Sequence, residues 1–261
     1  MPFRLKSIRF KFPMFGALWA ALLMFSPSQL SARDHSAHLD HTGHEAMSMT
    51  MDEQPQMDAA QQRKLLADKK ESEFNHHLAG FFVILAGIFI LGGDTLNRRW
   101  SFLRFAWPAC FLLSGLFLLV FSDTELWPFG PQSWWYGLTH NLEDLQHKAF
   151  AVILLALGII EVRRARGVLK SAWASLVFPV LAFCGSVMLL FHEHYSGMSG
   201  PDHLTVMARI QAEHMSFAAA GFGIGVFKGL SELPTRGQLI FARLWSLLMI
   251  VLGVLLLLYK E

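Results

Sequence analysis

The sequence predicts an all-α fold: a polytopic membrane bundle of six transmembrane helices behind an N-terminal signal peptide. Two patterns predict it, five long apolar runs plus a weaker sixth after residue 77, and Arg and Lys gathered in every second connection. The runs cover residues 78–93, 105–121, 150–160, 173–191 and 240–258, and the weaker one, rich in Gly and Ala, covers 215–227. A hydrocarbon core of ~30 Å needs about 20 helical residues. The 150–160 run must therefore extend from Leu145 or His147 to Glu161, and the 215–227 run from Gln211 to Leu230, which puts His147 and His214 at membrane depth.

Orientation is set by the connections. Arg98, Arg99 and Arg104 lie in the first, Arg163, Arg164, Arg166 and Lys170 in the third, and Lys228, Arg236 and Arg243 in the fifth. The positive-inside rule makes these cytoplasmic. The second connection carries Asp123, Glu125, Glu143 and Asp144 without a base, the fourth has only Arg209, and both are expected outside. Trp100, Trp107, Trp127, Trp134, Trp135 and Trp173 near span ends read as interfacial anchors. All twelve histidines then fall on the outer side.

Residues 1–32 read as a bacterial signal peptide: Arg4, Lys6, Arg9 and Lys11 precede an apolar stretch, 12–25, and a small-residue region, 26–32. Cleavage after Ala32 places Leu30 where a small side chain is preferred, so an uncleaved seventh helix is the alternative, and in either case the chain from Arg33 is exported. Residues 33–73 form a polar stretch with no aromatic residue, expected to be a flexible tail. Residues 74–261 are the six-helix transmembrane domain.

The tail contains His35, His38, His41 and His44 at intervals of three, then Met47, Met49 and Met51 at intervals of two. Imidazole suits zinc, copper and nickel alike. Thioether selects soft ions, so the His and Met blocks together point to copper, with Cu(I) favoured. Adventitious His tracts and Met contacts with membrane are the bland alternatives, although Met spaced by two in a polar run has no helical stripe to serve. A flexible tail loses entropy on wrapping an ion, which suits capture and relay better than storage.

In the membrane domain His76 and His77 open the first helix, His147 the third and His214 the fifth, while His192 and His194 close the fourth. Ionisable groups at membrane depth usually mark a site, whereas histidines at helix ends can simply reach interfacial water. The spacings His140, Glu143, Asp144, His147 and Met207, Gln211, His214 let each set share a helix face. Met188 lies four before His192, and Met198, His203 and Met215 lie nearby in sequence. Glu193 and Glu213 could orient imidazoles or solvate the surface. Gly80, Gly87, Gly92 and Gly93, with Gly221, Gly223, Gly225 and Gly229, suggest that the first and fifth helices pack together and bring His76 or His77 near His214.

Several classes are disfavoured. The two cysteines, Cys110 and Cys184, lie inside apolar spans, so no disulfide framework is expected. No CxxCH, phosphate-binding glycine loop, HExxH or nucleophile elbow occurs, the formal charge is +2, and neither an enzyme nor a nucleic-acid binder is indicated.

The exported DHSAHLDHTGHEAMSMTM segment joined to a body bearing FNHH, LQHK, FHEH and AEHM resembles bacterial copper-resistance membrane proteins, nearest the copper-resistance D family, over roughly residues 33–258. The resemblance implies copper handling at the inner membrane, with a periplasmic copper chaperone as a possible partner beside the lipid bilayer and the ion. The leading expectation is capture of copper by the tail and transfer to an outer-face cluster. One alternative is a b-type cytochrome with haem b between two histidines such as His147 and His214. Another is a structural or assembly subunit.

Overall fold

The computed structural model describes residues 59–192 and 201–260. The signal peptide, the His/Met block of the tail (His35, His38, His41, His44, Met47, Met49 and Met51), His194 and Met198 lie outside the described residues. His203 is on a described helix, but its side chain is not described.

The described residues are helical: α1 (Ala59–Leu91), α2 (Gly93–Arg99), a 3₁₀ turn (Ser101–Phe105), α3 (Ala106–Phe121), α4 (Trp134–His140), α5 (Leu142–Ala165), α6 (Ala174–Leu190), α7 (Pro201–Ser231) and α8 (Gln238–Leu257). Helix α1 begins well before its apolar run. Residues 59–73, read from composition as part of the polar tail, are Ala, Gln, Lys, Leu and Glu-rich with no Gly or Pro, so propensity alone favours helix there. Glu71 ties this polar stretch to the loop after α3, accepting from Thr124 N at 3.1 Å and from Thr124 Oγ1 at 2.8 Å.

Four segments are long and apolar enough to cross a membrane, Gln62–Leu91, Ser101–Phe121, Leu142–Ala165 and Gln238–Leu257. Helix α6 is apolar but only 17 residues long. Helix α7 has 31 residues, but its first half is polar, with Arg209, Gln211 and Glu213 before the Gly- and Ala-rich half.

The long helices pack in a closed ring, in the order α1, α3, α5, α6, α7, α8 and back to α1. Small residues set the closest approaches. A Cβ on Gly80 would lie 2.7 Å from the carbonyl of Gly253, and one on Gly87 would lie 2.9 Å from that of Ser246, so α1 and α8 touch backbone to backbone. Gly221 instead faces Ser186, and Gly225 faces Phe183 and Pro179, all on α6. The glycine stripes of α1 and α7 therefore do not mate with each other as expected. Gly80 and Gly87 serve α8, Gly221 and Gly225 serve α6, and Gly223 faces Leu248 of α8, which stands between the two stripes.

The two ends of the ring differ in chemistry. One end carries the histidines. Toward the other, Trp107, Phe111, Phe178 and Trp245 form a cluster of edge-to-face and tilted rings with centroids 5.5 to 6.3 Å apart. Below them Arg164 joins Glu161 at 2.9 Å to Glu232 at 2.8 Å, and Lys228 pairs with Glu232 while lying 5.0 Å over the Trp245 ring. This network links α5 to the C-terminal end of α7. It also engages Glu161, while Cys110 is buried in the apolar core and both cysteines are free thiols.

Candidate metal centre

Four helices deliver one imidazole each to the histidine end. His147 and His192 have ring centroids 5.5 Å apart, His192 and His214 4.8 Å, and His214 and His76 5.7 Å. The rings thus form a chain of neighbours drawn from α5, the end of α6, α7 and α1. His192 and His214 are buried, the latter only 1% exposed. Two imidazoles sharing one ion at a metal–nitrogen distance of ~2.0 Å have centroids roughly 4.5–6 Å apart depending on the ligand angle, so each adjacent pair has the spacing of two ligands. Among the described residues no three His, Cys, Asp or Glu side chains form a group placed to hold an ion as they stand. The arrangement is a row of pairs.

Each ring is held by the same atom. His76 Nδ1 lies 2.8 Å from the carbonyl of Ser72, and His214 Nδ1 lies 2.8 Å from that of Ile210. His147 Nδ1 lies 2.7 Å from Asp123 Oδ1, and His192 Nδ1 lies 2.5 Å from Gln146 Oε1. The Gln146 amide is oriented by its Nε2, which donates to the Phe191 carbonyl at 3.0 Å, so Oε1 is the atom facing His192. Every partner is an acceptor. Each Nδ1 must therefore carry its proton, and in the neutral ring the lone pair then lies on Nε2, the tautomer and the supporting hydrogen bond of a metal-binding imidazole.

The local sequence explains these anchors. His76 and His214 each reach back four residues to a carbonyl of the preceding helical turn. Asn141 caps α5, its side chain accepting from Glu143 N at 3.0 Å, and this starts the helix that places Gln146, His147 and Lys148 in the bundle.

Asp123 is the hub of a buried polar network. Its Oδ2 accepts from Ser122 Oγ at 2.6 Å and pairs with Lys148 Nζ at 2.6 Å, while Lys148 also lies 5.4 Å over the Trp134 ring. Burial alone would raise the pKa of Asp123, but its hydrogen bond to His147 and that residue's charge, followed by Lys148 and Ser122, hold it below the ordinary carboxylate range.

His76, His147, His192 and His214 line one end of a cavity of about 220 Å³ that continues between apolar side chains such as Phe111, Ile153, Leu181 and Met249. His77 stands apart from the row. Its Nε2 bonds the carbonyl of Tyr259 at 3.1 Å, and the Tyr259 ring stacks on His76 with centroids 3.9 Å apart. His140 stacks on Tyr136 on the exposed helix α4. The sequence reading missed Asp123, Gln146, Lys148 and Tyr259 as supports. A usable signal was present for two of them, because Lys148 beside His147 inside an apolar helix demands a buried counter-charge, and Asp123 closes a base-free loop.

No family model, curated protein or solved structure matches this chain.

Proposed function

We propose that this chain handles copper at a bacterial inner membrane: the exported His/Met tail captures the ion and the histidine row at the outer end of the bundle receives it. The observation that supports this reading best is the shared anchoring of His76, His147, His192 and His214 through Nδ1, with the four rings following one another as neighbours. Adjacent pairs suit Cu(I), which accepts few ligands, and a row of pairs suits stepwise transfer. In this reading α6 and α7 complete six crossings, the Arg- and Lys-bearing connections face the cytoplasm, and a periplasmic copper chaperone is the natural donor. No catalytic step is needed. Direct ring contact between neighbouring imidazoles favours an ion at their edges over a haem inserted between them.

The test is Cu(I) loading of the detergent-purified full chain under anaerobic conditions. Metal content is compared with His192→Ala/His214→Ala and with a variant whose tail His and Met residues are replaced by Ser. Copper held by the tail variant and lost by the double substitution supports a bundle site. Equal retention by the intact chain and the double substitution, or a haem Soret band abolished by that substitution, overturns the reading.

A further inference from the structure

Beside the histidine row, and sharing His147 with its cavity, a second pocket of about 150 Å³ opens at the same end between the polar start of α1, the loop after α3 and the start of α5. Six carboxylates line it, against Lys64 and His147. Acidic residues alone do not make a site, since carboxylates can be paired or solvated. Two of these have strong partners: Glu71 is bound by Thr124, and Asp123 by His147, Lys148 and Ser122.

Asp144 is different. It is 2% exposed, its Oδ1 accepts from Asn141 Nδ2 at 3.0 Å, and its Oδ2 is buried with no hydrogen-bond partner. Two further buried oxygens from the lining are in the same condition, Asn75 Oδ1 and Ser72 Oγ. The Asn75 amide is not reversible here, because its Nδ2 donates to the Ser122 carbonyl at 3.1 Å, leaving the oxygen as the unmatched atom. Gly137 lets α4 close over the carboxylate, since a Cβ there would lie 2.6 Å from Asp144 Oδ2.

A buried carboxylate oxygen, an amide oxygen and a hydroxyl inside an acidic pocket lack the hydrogen-bond partners that buried polar atoms ordinarily have. Burial and the charge of Asp68 already push the neighbouring Glu125 above the ordinary carboxylate range, so the pocket is crowded with negative charge. The three unpartnered buried atoms of this lining, Asp144 Oδ2, Asn75 Oδ1 and Ser72 Oγ, are all oxygen. Oxygen donors in a space with room for an ion and several waters suit a hard cation rather than a soft one. We propose that this pocket binds a hard divalent cation of the Ca²⁺ class through Asp144, Asn75 and Ser72, independently of copper at the histidine row.

The experiment is equilibrium dialysis of the purified, copper-free full chain against radioactive Ca²⁺, with a thermal melt in the same buffers. The intact chain is expected to bind Ca²⁺ saturably and to melt higher with it. Asp144→Asn, which preserves volume, is expected to weaken binding at least tenfold, and Ser72→Asp, which adds a carboxylate, to tighten it about tenfold. His192→Ala/His214→Ala, which disrupts the copper row, is expected to bind Ca²⁺ undiminished, so the two sites fail or stand separately. Absence of saturable Ca²⁺ binding, undiminished binding by Asp144→Asn, or unchanged binding by Ser72→Asp overturns the proposal and assigns Asp144 a proton instead.

Discussion

Asp123 and His147 lie 24 positions apart in the sequence, yet Oδ1 of one and Nδ1 of the other are 2.7 Å apart. A residue just past the end of α3 thereby fixes the tautomer of an imidazole in the second turn of α5. The other oxygen of the same carboxylate neutralises Lys148. One side chain thus orients an imidazole of the row and cancels a buried charge.

The two roles of Asp123 can be separated. Asp123→Asn is expected to lower copper affinity about 10- to 100-fold, the usual cost of losing a carboxylate behind a ligating imidazole, and to destabilise the fold because Lys148 loses its counter-charge. Adding Lys148→Met should restore the melting temperature while leaving copper affinity low. Recovery of both in the double variant would show that His147 does not depend on Asp123.

Acid should unfold the protein partly through the same carboxylate. A depressed folded pKa means that the stabilisation is present above the unfolded value of ~3.9 and is lost as pH falls through the folded value. Glu232 acts in the same direction, because burial opposes its charge but Lys228 and Arg164 outweigh burial. Melting temperature is expected to be flat in this respect from pH 7 to 5 and to drop below about pH 4. Asp123→Asn should show a shallower acid decline than the intact chain, and an equal decline would remove Asp123 from the account.

The contact between α1 and α8 leaves no room for a methyl group at Gly80. Gly80→Ala is expected to cost about 1–3 kcal/mol, the usual penalty of overpacking, read as a fall in melting temperature. Gly93→Ala is the control. The nearest atom to a Cβ there is Asn97 Nδ2 at 3.6 Å, an ordinary contact, and no loss is expected.

At the opposite end, Glu232→Gln removes the carboxylate shared by Arg164 and Lys228. Lys228 is buried against Trp245, so the change leaves a cation without its counter-charge, expected to cost about 3 kcal/mol. Lys228→Met in the same chain should recover most of that loss in a thermal melt.

Helix positions were largely legible in the sequence because apolar runs and charged connections reflect directly the cost of exposing or burying polar groups. Residues 59–73 were harder, since a helix of good formers without an apolar stripe looks like a solvated tail until its Glu71 meets Thr124. Helix neighbours were harder still. Glycines at 80, 87, 221 and 225 announced close packing, but a small residue does not name its partner, and the partners proved to be α8 and α6. At the histidine row the imidazoles themselves were visible as types. Their anchors were not, because Ser72 and Ile210 contribute backbone carbonyls that any residue could offer, and Gln146 acts through a contact 46 positions away.

Helix α8 packs on both α1 and α7, and just beyond it Tyr259 stacks against His76 and holds His77 through its carbonyl. In the order of synthesis, His76 and His147 leave the ribosome long before the segment that closes the ring around them. A nascent chain halted before Gln238 therefore carries its imidazoles without the wall that gathers them. The row of imidazoles is thus gathered late in synthesis, only once α8 and the Tyr259 segment have followed the helices that carry it.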